Sequence, residues 1–146
     1  KTFPEIPEAW LDPELGEKWE KTWSIRRVVT GALEVERREK RIGSSLEAAL
    51  DIYIDDKALA ALARTVDWAE LAITSEAAVR SGKPPANAFT LEGVEHVAVV
   101  PGLAEGKKCA RSWRITKDVG LDPGYPELSA RDAAAVREFD DISGHA

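Results

Sequence analysis

The sequence contains no methionine and one cysteine, Cys109, among 146 residues. A single thiol cannot form an internal disulfide, which points to a reducing compartment. No stretch approaches the ~18 consecutive apolar residues of a membrane span. The opening KTFPEIPEAW has no apolar run after its lysine, so it does not read as a secretory signal. The missing initiator Met reads as a piece of a longer chain. The two histidines, His96 and His145, make no paired metal motif, and neither a phosphate-cradling glycine loop nor a nucleophile elbow is found. From these absences we expect no catalytic residue, no membrane contact and a cytoplasmic setting.

Hydrophobic residues at 44% against 32% charged suit a soluble globular chain with a core of its own. The net charge is −6. An acidic chain does not attract nucleic acid over its whole surface, so such binding would need a local basic patch.

Pro4, Pro7 and Pro13, with Phe3, Ile6 and Trp10 between them, predict a non-helical segment lying over a surface. Asp12 as N-cap, Pro13 at the first position and Glu14 and Glu17 in the first turn then predict a helix running to about Arg41. Leu15, Trp19, Trp23, Ile25, Val28, Val29, Ala32 and Leu33 form its broad apolar face, with Gly43 as the stop. Leu50, Ile52 and Ile54 alternate with Asp51, Tyr53 and Asp55, the pattern of a half-buried strand. The remaining elements are a short helix over 57–64, a second strand over 70–74, a loop over 80–88 and a third strand over 94–100. A strand or hairpin arm follows over 108–116, then turn chemistry in LDPGYP and a last helix over 131–139 capped by Ser129. The fold class is α+β: a long N-terminal helix leading into a small mixed sheet with short helices. The parts are 1–43, 44–103 and a C-terminal lobe over 104–146.

Asp51, Asp55 and Asp56 suggest a metal cluster at first sight, but a solvated strand edge and a helix cap account for them. His96 reads as structural or exposed. Two basic clusters remain. Arg37, Arg38, Lys40 and Arg41, with Arg26 and Arg27 further back, offer cations for phosphate, though a helix C-terminus favours positive charge in any case. In Lys107, Lys108, Arg111, Trp113 and Arg114, cations alternate with a ring. Cations hold phosphates while an indole stacks on an exposed base. Strand alternation would put Arg111 and Trp113 on one face, against a purely buried place for Trp113.

Three stretches, FPEIPEAW, RREKRIGSSLEAALDIYI and AEGKKCARSWRITKDVG, resemble in order and spacing the C-terminal region of bacterial isoleucyl-tRNA synthetases. Residues 80–93 match least. The resemblance implies a class I ligase that uses ATP and magnesium to charge tRNA(Ile), with its catalytic and editing domains elsewhere. This chain alone would then have no aminoacylation activity, and its partners would be tRNA(Ile) and the rest of the parent chain. Residues 1–43 would end the anticodon-binding helical region. The resemblance further implies a four-cysteine zinc site, C-x2-C twice, at positions held here by Cys109, Ser112, Ser129 and Asp132. The spacing persists but the ligands do not, so we expect no structural zinc, a degenerate zinc-ribbon-like lobe and no cofactor in this chain. Arg111 and Trp113 match residues that contact the anticodon region. Phosphate pairs would come from Arg37, Lys40, Arg41, Lys107 and Lys108, with Arg114 beside them. Two other readings stay open: a structural docking module acting through Phe3, Ile6 and Trp10, and a free-standing regulator or small enzyme.

Overall fold

The computed structural model describes residues 6–144; Phe3, Pro4 and His145 lie outside the described residues. Helix α1 spans Pro13–Arg38. Its start is set locally: the Asp12 carboxylate accepts the Leu15 N–H at 2.9 Å, and Pro13 needs no partner for a missing N–H. Its end falls short of Arg41. Lys40 takes the left-handed conformation at φ 59°, the Lys40 N–H reaches the Arg37 carbonyl at 3.0 Å and the Arg41 N–H reaches Glu36 at 2.9 Å. That is a Schellman closure, with a lysine where glycine is usual. Gly43 therefore lies beyond the stop rather than forming it.

A turn at Ser45–Glu47 leads into strand β1, Ala48–Ile54. Helix α2, Lys57–Ala63, is capped by Asp56, which accepts the Leu59 N–H at 2.6 Å. Helix α3, Trp68–Ala72, is capped by Asp67 and ends with Ile73 at φ 57°. The expected strand over 70–74 is thus wrong. A capping aspartate and the buried Trp68, whose indole N–H donates to the Ala63 carbonyl at 2.8 Å, fix a helix there. The strand comes later, as β2, Glu76–Arg80. Strand β3, Phe89–Leu91, follows the 80–88 segment, and β4 runs Val94–Leu103. The sheet order is β2-β1-β4-β3, with β1 and β2 parallel and the other pairs antiparallel, so it is mixed. Strand β1 is central, not an edge, and the aspartates in it and just after it are separated by use. Asp51 pairs with Arg80 at 2.8 Å, Asp55 with His96 at 2.7 Å, and Asp56 caps α2.

Helix α1 lies on one face of the sheet. Ile25, Val28 and Val29 meet Ile52, Ile54 and Val99 in a single core that also takes in Ala60, Ala63 and Trp68. Gly31 makes room at this contact: a Cβ there would stand 2.8 Å from the Phe89 ring. The expected apolar face is only half right. Leu15, Trp19 and Trp23, in the N-terminal half of α1, are exposed. Beyond the sheet come β5, Lys107–Lys108, paired with β6, Ile115–Thr116, and then helix α4, Ala130–Ser143. No described helix is long and apolar enough to cross a membrane.

Candidate nucleic-acid interface

The segment between β5 and β6 is a closed turn. The Cys109 N–H donates to the Arg114 carbonyl and the Trp113 N–H to the Cys109 carbonyl, both at 2.9 Å. Trp113 sits at φ 63°, a conformation uncommon outside glycine and worth holding only if surroundings enforce it. Arg111 and Trp113 therefore share a turn, not a strand face. The outcome for Trp113 is the one the alternation implied, an exposed indole at 61%, but the cause is the turn. The Lys108 ammonium stands 5.1 Å from the centre of its ring, within cation–π range. Lys107 and Lys108 are exposed and make no ion pair among the described residues.

Arg114 points elsewhere. Its Nη2 donates to the Ser75 carbonyl at 2.8 Å, while its buried Nε has no partner. The Ser75 hydroxyl accepts the Ile115 N–H at 2.6 Å and donates to the Leu46 carbonyl at 2.5 Å. Arg114 and Ser75 tie the knuckle turn to the sheet, a link that no sequence pattern announces because the two lie far apart in the chain.

Beneath the turn, the four positions that resemble zinc ligands converge on one carboxylate. Asp132 Oδ2 accepts from Ser112 Oγ at 2.6 Å, Ser129 Oγ at 2.9 Å and Cys109 Sγ at 3.1 Å. Its Oδ1 lies 3.4 Å from Arg111 Nη1. The Ser129 N–H points at Cys109 Sγ, 3.4 Å away, and Ser129 caps α4. The Ser112 hydroxyl above all, then the Cys109 thiol, the Ser129 hydroxyl and the Arg111 charge, hold the Asp132 carboxyl down to about 2 against the opposing effect of burial. Burial pushes the Cys109 thiol up, but hydrogen bonds from Ser112 and the Ser129 amide outweigh it and leave the thiol below its usual range. Among the described residues no group of three or more His, Cys, Asp or Glu side chains could hold a metal ion.

The cluster at the end of α1 is largely neutralised from within. Arg41 makes a two-pronged pair with Glu36 at 2.6 Å and also meets Glu39, while Arg37 meets Glu34 and the Ser45 hydroxyl. The Glu36 carboxyl is held below its ordinary range chiefly by hydrogen bonding to Arg41. Arg38 and Lys40 are exposed and outside these pairs. None of these bonds reaches the second cluster. A third cationic and aromatic strip lies on α1 itself: Trp19 and Trp23 rings 5.7 Å apart, with the Arg26 guanidinium 5.3 Å from the Trp23 ring. Its signal was the four-residue spacing of the tryptophans.

Fold and site together define the class: an α+β module whose last part carries the β5–β6 turn and helix α4. No family model matches the chain. Over 137 residues it is 58% identical to an isoleucine–tRNA ligase of Brucella abortus biovar 1 and 60% identical to one of Agrobacterium fabrum. Over 140 residues it is 55% identical to one of Mesorhizobium japonicum. Each match takes in 94% of this chain and 14% of the relative's length. The chain thus matches a C-terminal segment of isoleucine–tRNA ligases and spans about one seventh of their length.

Proposed function

We propose that this chain is the tRNA-binding C-terminal module of an isoleucine–tRNA ligase, meeting the anticodon region of tRNA(Ile) while a catalytic domain elsewhere in the parent performs ATP- and magnesium-dependent aminoacylation in the cytoplasm. The observation that carries the reading is the exposed Trp113, presented on a closed turn with Lys108 against its ring and Arg111 in the same turn. An indole face stacks on an unpaired base for roughly 1–3 kcal/mol, and lysines alongside hold the phosphates without reading sequence. Lys107, Lys108 and Arg111 are the principal cations. Arg37 and Arg41 would reach phosphate only by giving up carboxylate partners, which leaves Lys40 as the readier contact of that cluster. Arg114 supports the turn from the sheet side. The chain itself carries out no chemistry; holding the anticodon end fixes where the distant acceptor end lies, a gain by positioning.

A second reading rests on the exposed Trp10, Leu11, Leu15, Trp19 and Trp23. An apolar run of this kind marks a contact surface, here for the rest of the synthetase, with little direct tRNA contact. One experiment separates the two. Arg111→Ala with Trp113→Ala in the full-length synthetase should lower kcat/KM for tRNA several-fold or more and leave isoleucine activation unchanged. An unchanged tRNA dependence would favour docking alone.

A further inference from the structure

The zinc site that the resemblance implies asks for four soft donors around a cation, and the residues here do not fit one. Cys109 supplies one thiol, Ser112 and Ser129 supply neutral hydroxyls, and Asp132 supplies one carboxylate; neutral hydroxyls are poor zinc ligands. The donors are also already spoken for. All three hydroxyl and thiol groups point at Asp132 Oδ2, at 2.6, 2.9 and 3.1 Å. We propose that the lobe is a knuckle of inverted charge, in which the buried Asp132 carboxylate does the work of the metal ion.

In a zinc knuckle a cation sits at the centre and anionic ligands point inward. Here an anion gathers three neutral donors, and the chain segments it joins are the same two: the turn carrying Cys109 and Ser112, and the start of α4 carrying Ser129. Asp132 is 5% exposed, Cys109 is fully buried and Ser129 is buried, so water competes little for the bonds from these two; Ser112 is half-buried. A buried carboxylate needs both hydrogen bonds and charge compensation. It has the three donors on one oxygen, Arg111 at 3.4 Å from the other, and the N-terminal end of α4, where negative charge is favoured. Two consequences follow. The lobe folds without metal, so chelators leave it intact. The turn that presents Arg111 and Trp113 is braced from below by Asp132, which makes Asp132 a positioning residue for that turn. This holds whether or not the turn meets tRNA.

The test uses the full 146-residue chain. Elemental analysis should find zinc far below one atom per chain, and a strong chelator should leave Tm unchanged. Stoichiometric zinc, or a Tm that falls with chelator, would overturn the proposal. Asp132→Asn, which keeps the shape and removes the charge, should speed amide exchange at Cys109, Trp113 and Ser129 on the order of tenfold or more, with core amides such as Ile52 little changed. Uniform protection across both regions would defeat the bracing role. The variant S112C/S129C/D132C rebuilds both cysteine pairs and should take up about one zinc per chain, with a chelator-sensitive Tm. If that variant binds no zinc, the four positions do not retain knuckle geometry and the proposal fails.

Discussion

The helix–sheet region and the C-terminal lobe are stabilised by opposite means. In the first, one face of α1 and the inner face of the sheet bury a continuous set of aliphatic side chains, from Ile25 to Val99. In the second, between residues 104 and 144, the only buried apolar side chains are Cys109, Val119 and Ala133. The lobe relies on directed polar contacts instead. Asp132 gathers its three donors, Asp118 accepts the Ala130 N–H at 2.9 Å, and the Ala110 N–H reaches the Glu127 carbonyl at 2.9 Å. A unit too small to bury a core needs staples. Aliphatic burial is non-directional and tolerates substitution of similar volume, whereas a carboxylate hub depends on each donor being in place.

Breaking the first region should cost most. Ile52 is fully buried on the central strand, and Ile52→Ala should lower global stability by about 2–5 kcal/mol, seen as a shifted denaturant midpoint. Asp132→Ala strands two buried donors, Cys109 and Ser129, and the half-buried Ser112, and should cost roughly 1–3 kcal/mol, with the loss concentrated in the lobe. Acid sharpens the contrast. With its folded value near 2 and an unfolded one of about 3.9, Asp132 stabilises the fold fully above about pH 4. That contribution, about 2 kcal/mol, is lost as pH falls from 4 towards 2. Equilibrium unfolding of Asp132→Asn should lack this part of the acid limb, while Ile52→Ala should keep it. An acid limb unchanged in Asp132→Asn would mean that other carboxylates control it. Next in size is the joint between the regions. Ser75→Ala removes an acceptor for Ile115 and a donor to Leu46, and should cost about 1–2 kcal/mol. Amide exchange should quicken in β6 before it does in β1.

The same division explains what could be read in advance. The caps Asp12, Asp56 and Ser129 act within three residues of themselves, and each was legible. So was the inner face of β1, because a period of two places Leu50, Ile52 and Ile54 together. The span over 70–74 was not: three apolar residues between Glu70 and Thr74 carry no period, and what decided it was Asp67 and the burial of Trp68. Strand β3 is three residues long and owes its existence to pairing with β4. Trp19 and Trp23 follow a helical period, but a period does not say what covers the face. In the lobe, Arg111, Trp113 and the zinc-like positions were visible as residues, while their arrangement was not. The left-handed turn at Trp113, the tether from Arg114 to Ser75 and the gathering of donors on Asp132 all depend on contacts between distant segments.

The smallest effect expected is at the basic end of α1, and it sharpens the contrast from the surface side. Arg41 pairs with Glu36 and Glu39, yet it is half exposed, and exposed pairs give up most of their attraction to water and to side-chain ordering. Arg41→Ala should leave Tm unchanged within error, because the Schellman closure at Lys40 uses backbone groups and keeps the helix end without it. If this cluster meets phosphate, the same variant should weaken tRNA binding in the full-length synthetase and flatten its salt dependence by up to about one unit of slope. A flattened slope with unchanged Tm would add the α1 end to the binding surface. An unchanged slope would confine that surface to Lys107, Lys108, Arg111 and Trp113, where the two lysines make no ion pair among the described residues and Arg111 meets Asp132 only at 3.4 Å.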